Sequence, residues 1–248
     1  MKVSIITATF NSAKTLKNTI SSVSSQTYKN IEHIFVDGAS RDLTLNVVSE
    51  NCDYNYKVIS EPDNGIYDAL NKGVKMATGD VICILHSDDF FYINDVLEKV
   101  VNSFIDKEVT GIYSDVNHVS KEDTSKVRRK WVSGSFFKSK IKYGWMPPHP
   151  ALFLRTHIAR EYVYNIRYKI SADYDFFLRI QNDKRINLLY LPEVLVCMRV
   201  GGASSKSIYN ILLKMKEDYQ VIRTNNIGGL GTLALKNIRK IPQIQIFN

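Results

Sequence analysis

Three cysteines, at positions 52, 83 and 197, are too few and too widely spaced for a disulfide framework, and none belongs to a CxxC pair. A reduced, cytoplasmic setting is therefore expected. No uncharged apolar run approaches the roughly 20 residues that a membrane-spanning helix needs. The apolar stretch after Met1-Lys2 has no small-residue cleavage site behind it, so no secretory signal is expected. No glycine-rich GxGxxG follows the first apolar run, and no GxxxxGK[ST] occurs, which sets aside dinucleotide-dependent dehydrogenases and P-loop nucleotidases. Internal repeats and a clear interdomain linker are absent too.

What is present is 248 residues with 44% hydrophobic content, enough for a substantial core and too apolar for a disordered chain. Lys and Arg number 33 against 25 Asp and Glu, a formal charge of +8. That excess suits nucleic acid, an anionic membrane surface or phosphorylated substrates, and does not choose among them.

The first 115 residues alternate regularly. VSIITAT (3–9) reads as a buried strand, and Leu16, Ile20 and Val23 then recur at helical spacing. Residues 31–36 form a second apolar run, 57–60 a third, and Ile66, Ala69, Leu70, Val74 and Ala77 make one helical stripe that stops near Gly79. Residues 81–85 predict a strand, 96–104 a helix and 111–114 another strand. Alternation of this kind implies an α/β fold with a mostly parallel sheet covered on both faces. Beyond it, residues 117–143 hold a basic stretch (Lys126, Arg128, Arg129, Lys130, Lys138, Lys140, Lys142) interleaved with Trp131, Phe136 and Phe137, read as a long excursion from the sheet. A strand over 151–154, a helix over 173–181, one or two strands within 188–198 and a long amphipathic helix carrying Ile208, Ile211, Leu212, Met215, Tyr219 and Ile222 complete the pattern, ahead of a tail containing Lys236, Arg239 and Lys240.

In open parallel sheets ligands bind beyond the carboxyl ends of the strands. Here those ends carry acids: Asp37 and Asp42, Glu61 and Asp63, Asp88 and Asp89, and Asp115. Carboxylates gathered on one rim repel one another unless a cation intervenes. Mg²⁺ or Mn²⁺, which takes one or two carboxylates and completes its shell with substrate phosphates, is the natural partner.

SIITATFN, FVDGASRDLT, EPDNGIYDALNKGVKMATGDVICILHSDD, MPPHPALFLR, SADYDFFLRI and LVCMRVGGASS, in that order, resemble family 2 glycosyltransferases of the GT-A fold. The resemblance implies a UDP-sugar donor lying across residues 1–115, an acceptor and catalytic half over 116–205, and a C-terminal helix and basic tail over 206–248. It implies that Thr7, Thr9 and Asp37 line the uridine pocket, and that Asp68 and Lys72, at i,i+4, form its next wall; an ordinary helix salt bridge is the alternative for that pair. Asp88 and Asp89 match the element that binds metal and ribose, with His86 where relatives often have a third acid. Asp173 matches the catalytic base, Ala172 replacing the first acid of the usual pair, and Asp175 reads as a helix N-terminal acid. Arg199 matches a diphosphate contact, followed by glycines where relatives place a histidine.

Such enzymes act by a single displacement that inverts the anomeric centre, in assembly of bacterial surface polysaccharides such as O-antigen or capsule. A saccharide on a polyprenyl diphosphate is the implied acceptor, and the basic excursion and tail would face an anionic inner leaflet. Tyr67, Tyr143 and Trp145 are a sugar platform or core residues, and His149 between prolines orders a loop. The competing readings are a nucleic-acid-binding module, which acids at every strand end disfavour, and a sugar-nucleotide-binding protein without turnover.

Overall fold

The computed structural model describes residues 1–202 and 207–239. Val3–Thr9 (β1) is buried at every position because it runs between two parallel neighbours, Ile31–Asp37 (β2) and Val81–Ile84 (β4). Tyr56–Ser60 (β3) pairs with the outer edge of β2. Strands covered on both faces lose the alternating pattern and read as continuous apolar runs, which is why this half was legible. Ala13–Ser24 (α1), Thr44–Asn51 (α2), Ile66–Met76 (α3) and Val96–Ser103 (α4) connect and cover them. Gly73 sits mid-helix in α3 because a β-carbon there would collide with Ile6 of β1. Close helix–sheet packing thus offsets a cost of about 1 kcal/mol against alanine.

The sheet continues through the second half. Its order is β3-β2-β1-β4-β8-β6-β9-β5, with Phe90–Phe91 as β5, Gly111–Val119 as β6, Leu152–Arg155 as β8 and Leu188–Arg199 as β9. The strand β8 runs antiparallel to both β4 and β6, and β9 is parallel to β6. The strands β1 to β4, β6 and β9 therefore all point the same way, and their carboxyl ends share one rim. Thr156–Glu161 (α5), Ala172–Gln181 (α6), Ile208–Thr224 (α7) and Leu230–Ile238 (α8) complete the fold.

The basic excursion is shorter than expected. The strand β6 runs on to Val119, and Val127–Trp131 (β7) folds back against it, Val116 opposite Trp131 and Asn117 opposite Lys130. Arg128 and Lys130 face solvent while Val127, Arg129 and Trp131 alternate inward, a period-two pattern hidden by the density of charge. Trp145 is a core residue rather than a sugar platform. It is buried against Tyr113, Phe136 and Phe177. The stripe on α7 departs the other way, since Ile208, Ile211, Leu212, Met215 and Tyr219 are exposed and only Ile222 of the six is buried.

Candidate active site

The strand ends place the expected residues at different depths. Thr7 is fully buried, its hydroxyl donating to the Leu85 carbonyl at 2.7 Å and lying 2.8 Å from His33 Nε2. Its hydroxyl is thus engaged inside the sheet, beneath the rim. Asp37 is also fully buried, and its carboxylate accepts from the Thr9 hydroxyl (2.9 Å), the Ser40 N–H (2.9 Å), the Ser40 hydroxyl (2.5 Å) and the Ser60 hydroxyl (2.7 Å). Those donors hold it below the usual carboxylate range despite its burial. Thr9 and Asp37 thus tie together the loops after β1, β2 and β3.

Phe10, outside the expected set, comes to the surface above them beside the strand-end acid Asp63. Phe10 is 64% exposed at the end of β1. A β-carbon on Gly38 would lie 2.6 Å from Asp63 Oδ2 and 3.4 Å from the Phe10 ring, so glycine lets an aromatic face and a carboxylate converge there. An exposed aromatic immediately after a fully buried strand is the sequence signal that could have found Phe10. Lys72 lies 3.8 Å from Asp68, the helix pair expected, but also 2.8 Å from Glu61, and it donates to the Pro62 carbonyl at 3.2 Å. Asp68 accepts from the Asn64 N–H at 2.9 Å. Together they clasp the loop between β3 and α3.

After β4 the chain turns at His86 to Asp89, with the Asp89 N–H bonding the His86 carbonyl at 3.0 Å. Thr19 of α1 holds this turn by donating to the Asp89 carbonyl at 2.7 Å, and Ser12 meets Ser87 at 2.9 Å. Asp88 is partly exposed on the rim; Asp89 is 2% exposed, and its Oδ2 has no hydrogen-bond partner. Burial and the neighbouring Asp88 push Asp89 well above the usual carboxylate range, with Arg199 opposing. Arg199, at the end of β9, donates to the Asp88 carbonyl and lies over the Phe90 ring.

Asp173 opens α6 and is electrostatically linked to His86, which in turn is linked to Asp88. His86 Nδ1 is buried and has no hydrogen-bond partner. Burial raises Asp173 above the ordinary carboxylate range, and Lys236 and Lys214 oppose the rise. Lys236 was expected in a membrane-facing tail. It is instead 5% exposed, donating to Asp218 at 2.6 Å with its ammonium 3.5 Å from the centre of the Tyr174 ring. The folding of 230–238 as α8 against α7 turns it inward, so the basic tail loses this member; Lys240 and Ala203 to Ser205 lie outside the described residues. His149 meets the Tyr164 hydroxyl at 2.6 Å, and Tyr67 donates to the Ile170 carbonyl at 2.7 Å.

No group of three or more His, Cys, Asp or Glu side chains capable of holding a metal occurs among the described residues. Of the adjacent Asp88 and Asp89, Asp88 is the one that offers its carboxylate at the open rim. A hard cation of the Mg²⁺ or Mn²⁺ type takes one or two carboxylates and fills its shell with substrate phosphates and water, so such an ion fits Asp88 together with a diphosphate. A cage made only of protein ligands does not fit.

The model of the family described as Glycosyl transferase family 2 matches residues 4–170. The chain belongs to this family. It is a glycosyltransferase, 30% identical over 210 residues to a PGL/p-HBAD biosynthesis glycosyltransferase of Mycobacterium tuberculosis, covering 83% of this chain and 79% of the relative. An uncharacterized glycosyltransferase of the same organism is 34% identical over 181 residues, covering 71% and 68%. Among solved structures, Staphylococcus aureus TarS 1–349 in complex with UDP-GlcNAc superimposes with a TM-score of 0.69 at 21% identity, covering 91% of this chain and 65% of that one. Mannosyltransferase PcManGT from Pyrobaculum calidifontis, in complex with GDP-Man and Mn²⁺, gives 0.68 at 19% identity, covering 97% and 72%. These structural likenesses fix the GT-A type of fold for this family 2 chain, which has one mixed sheet flanked by helices.

Proposed function

We propose that this family 2 transferase moves a hexose or N-acetylhexosamine from a UDP-sugar to a saccharide hydroxyl, with inversion, the acceptor being carried on a polyprenyl diphosphate during surface polysaccharide synthesis. The observation that supports the proposal is that two partly exposed carboxylates, Asp88 in the turn after β4 and Asp173 at the start of α6, both act electrostatically on His86. One partly exposed carboxylate suits the donor's diphosphate and the other its acceptor. That TarS 1–349 was solved with UDP and with UDP-GlcNAc, and PcManGT with GDP-Man and Mn²⁺, supports a sugar-nucleotide donor and a divalent ion.

In this reading Phe10 offers a flat face to the base, with Asp63 beside it as an acceptor, and the Asp68–Lys72 clasp fixes the wall around them. Asp88 would hold Mn²⁺ or Mg²⁺, whose charge stabilises the departing diphosphate. Asp173 takes the proton of the acceptor hydroxyl as that oxygen bonds to the anomeric carbon. The bond from that carbon to the diphosphate oxygen breaks on the opposite face, its electron pair leaving with UDP. A raised proton affinity makes Asp173 a better base than a solvated aspartate, and the two lysines that oppose the rise favour its ionised form. An α-linked donor would yield a β-linked product.

The proposal also includes contact with an anionic membrane surface, which the exposed apolar stripe of α7 supports as a lipid-facing side. No helix among the described residues is long and apolar enough to cross a membrane. The decisive test is turnover of a panel of UDP-sugars and GDP-mannose with and without Mn²⁺, alongside the Asp173→Asn variant. Metal-dependent turnover of a UDP-sugar that this variant loses while still binding UDP is the expected result. Turnover by the variant at the parent rate would remove Asp173 as the base, and preference for GDP-mannose would remove the uridine assignment.

A further inference from the structure

In the first turn of α6 the Tyr174 N–H is taken by Asp173 Oδ1 at 2.8 Å, and the N-cap side chain takes none. Ser171 stands at the N-cap of α6, yet its hydroxyl bonds none of the free N–H groups of the first turn and donates to Asp218 at 2.8 Å. The chain leading into the helix is held instead by a residue 46 positions beyond Ser171. The Glu217 carboxylate accepts the backbone N–H groups of Lys169 (2.8 Å), Ile170 (2.8 Å) and Ser171 (3.0 Å), two of them on the same oxygen. Three charge-assisted bonds on consecutive amides fix the direction in which the chain enters the helix. Asp218, next to it on α7, is held by Lys214 at 2.9 Å and Lys236 at 2.6 Å. From the opposite side, Tyr67 of α3 pins the Ile170 carbonyl.

Both acids are buried, 4% and 1% exposed, on a helix whose other face is open to solvent. Buried carboxylates rarely add stability over apolar side chains of like size. Their worth here is geometric: they set the backbone two residues ahead of Asp173.

We propose that Glu217 and Asp218 are positioning residues for the acceptor-side carboxylate, so that the α7–α8 pair is part of the catalytic apparatus rather than an appendage to the nucleotide-binding fold. The inference rests on Asp173 being the base. The donor half meets this segment only through Tyr67 and Asn64, and neither Glu217 nor Asp218 bonds it directly, so the acid pair acts on turnover and leaves nucleotide binding alone.

The test compares Glu217→Gln, Glu217→Asp, Ser171→Ala and Asp173→Asn in the full chain, using UDP with Mn²⁺ as the binding probe and transfer as the rate. Glutamine has only one acceptor oxygen and sets an NH₂ against an amide donor, so kcat is expected to fall roughly tenfold or more, as small misplacements of a reacting group do. UDP affinity and donor KM should stay within about twofold of the parent. Glu217→Asp keeps both acceptors one methylene back and should recover part of the loss. Ser171→Ala, which removes one bond and no charge, should lower kcat alone, by roughly threefold. Hydrogen exchange of the amides at 169–171 should speed up in Glu217→Gln. Transfer within about twofold of the parent in both Glu217→Gln and Ser171→Ala, or UDP affinity lost in step with kcat, overturns the inference. If Asp173→Asn alone is inert, only the positioning idea fails; if Asp173→Asn turns over normally, the base assignment beneath it fails.

Discussion

Arg199 bonds the backbone carbonyl of Asp88 and neither carboxylate of the Asp88-Asp89 pair accounts for that bond. The end of β9 is thereby latched to the turn after β4, across a guanidinium that also covers Phe90 and opposes the rise in the proton affinity of buried Asp89. Its effect on a diphosphate would be indirect as well as direct, since the latch fixes where Asp88 points. Arg199→Lys should fail almost as fully as Arg199→Met, because a point charge cannot cover the ring and reach the carbonyl together. Titration of UDP in the presence of Mn²⁺ is expected to show affinity reduced by about tenfold in both variants. A lysine variant with parental affinity would make Arg199 a simple charge donor.

The two adjacent acids have opposite environments and should respond in opposite ways. Asp88→Ala is expected to abolish the Mn²⁺-dependent part of UDP binding while leaving the melting temperature close to the parent's. Asp89 is driven towards its neutral form, so Asp89→Asn removes little charge that the fold was using, and should leave metal-dependent binding intact. Calorimetric titration with and without Mn²⁺ checks both. Loss of the metal effect in Asp89→Asn, with Asp88→Ala unaffected, would reverse the assignment.

Much of this site was readable from residue order, and the part that was not has a physical cause. The strands β1, β2 and β4 are rich in apolar residues because they are buried on both faces, so their ends, and hence Asp37, Asp88 and Asp89, could be located without coordinates. Depth could not. Thr7 and Thr9 look alike in a strand, yet one turns to His33 inside the sheet and the other to Asp37 near the rim. Glu217 escaped notice and Lys236 read as part of a solvated tail because their partners lie far away in sequence, at 169–171 and 218, and charge on an amphipathic helix ordinarily marks the solvent face. The apolar stripe of α7 misled for the same reason in reverse.

Glu32 predicts how the protein responds to acid. Fully buried in β2, it accepts from the Ser4 hydroxyl (2.6 Å), the Gly79 N–H (3.1 Å), and the ammonium groups of Lys2 and Lys57, both at 3.0 Å. Its folded pKa lies far below the ordinary value of 4.5, the donors outweighing the cost of burial. A depressed carboxylate stabilises the fold fully above its unfolded pKa and loses that contribution as pH falls below it. Thermal stability should therefore decline from about pH 4.5 downward. Glu32→Gln is expected to cost about 2–4 kcal/mol at neutral pH and to flatten that decline, since the group that titrates is gone. A variant that melts with the parent's acid dependence would place the sensitivity elsewhere.

The exposed side of α7 and α8 carries charge of one sign. Ile208, Leu212, Met215 and Tyr219 repeat at four, seven and eleven residues along one face, and Leu235 and Ile238 add to it from α8. Lys216 and Arg223 edge the stripe, while the acids of residues 207–239, Glu217 and Asp218, are both buried and engaged. A protein partner of mixed charge gains nothing from this, whereas an anionic lipid surface is matched in both apolar contact and charge. Sedimentation with vesicles should show binding that rises with anionic lipid content. Leu212→Ser with Met215→Ser should weaken it at every composition. Lys216→Gln and Arg223→Gln should each weaken it by about fivefold on anionic vesicles alone, the effect expected of roughly 1 kcal/mol per near-surface charge. Binding to neutral and anionic vesicles alike, or none to either, would detach this face from the membrane. Concentration-dependent dimerisation abolished by the same serine variants would assign it to a second copy of the chain.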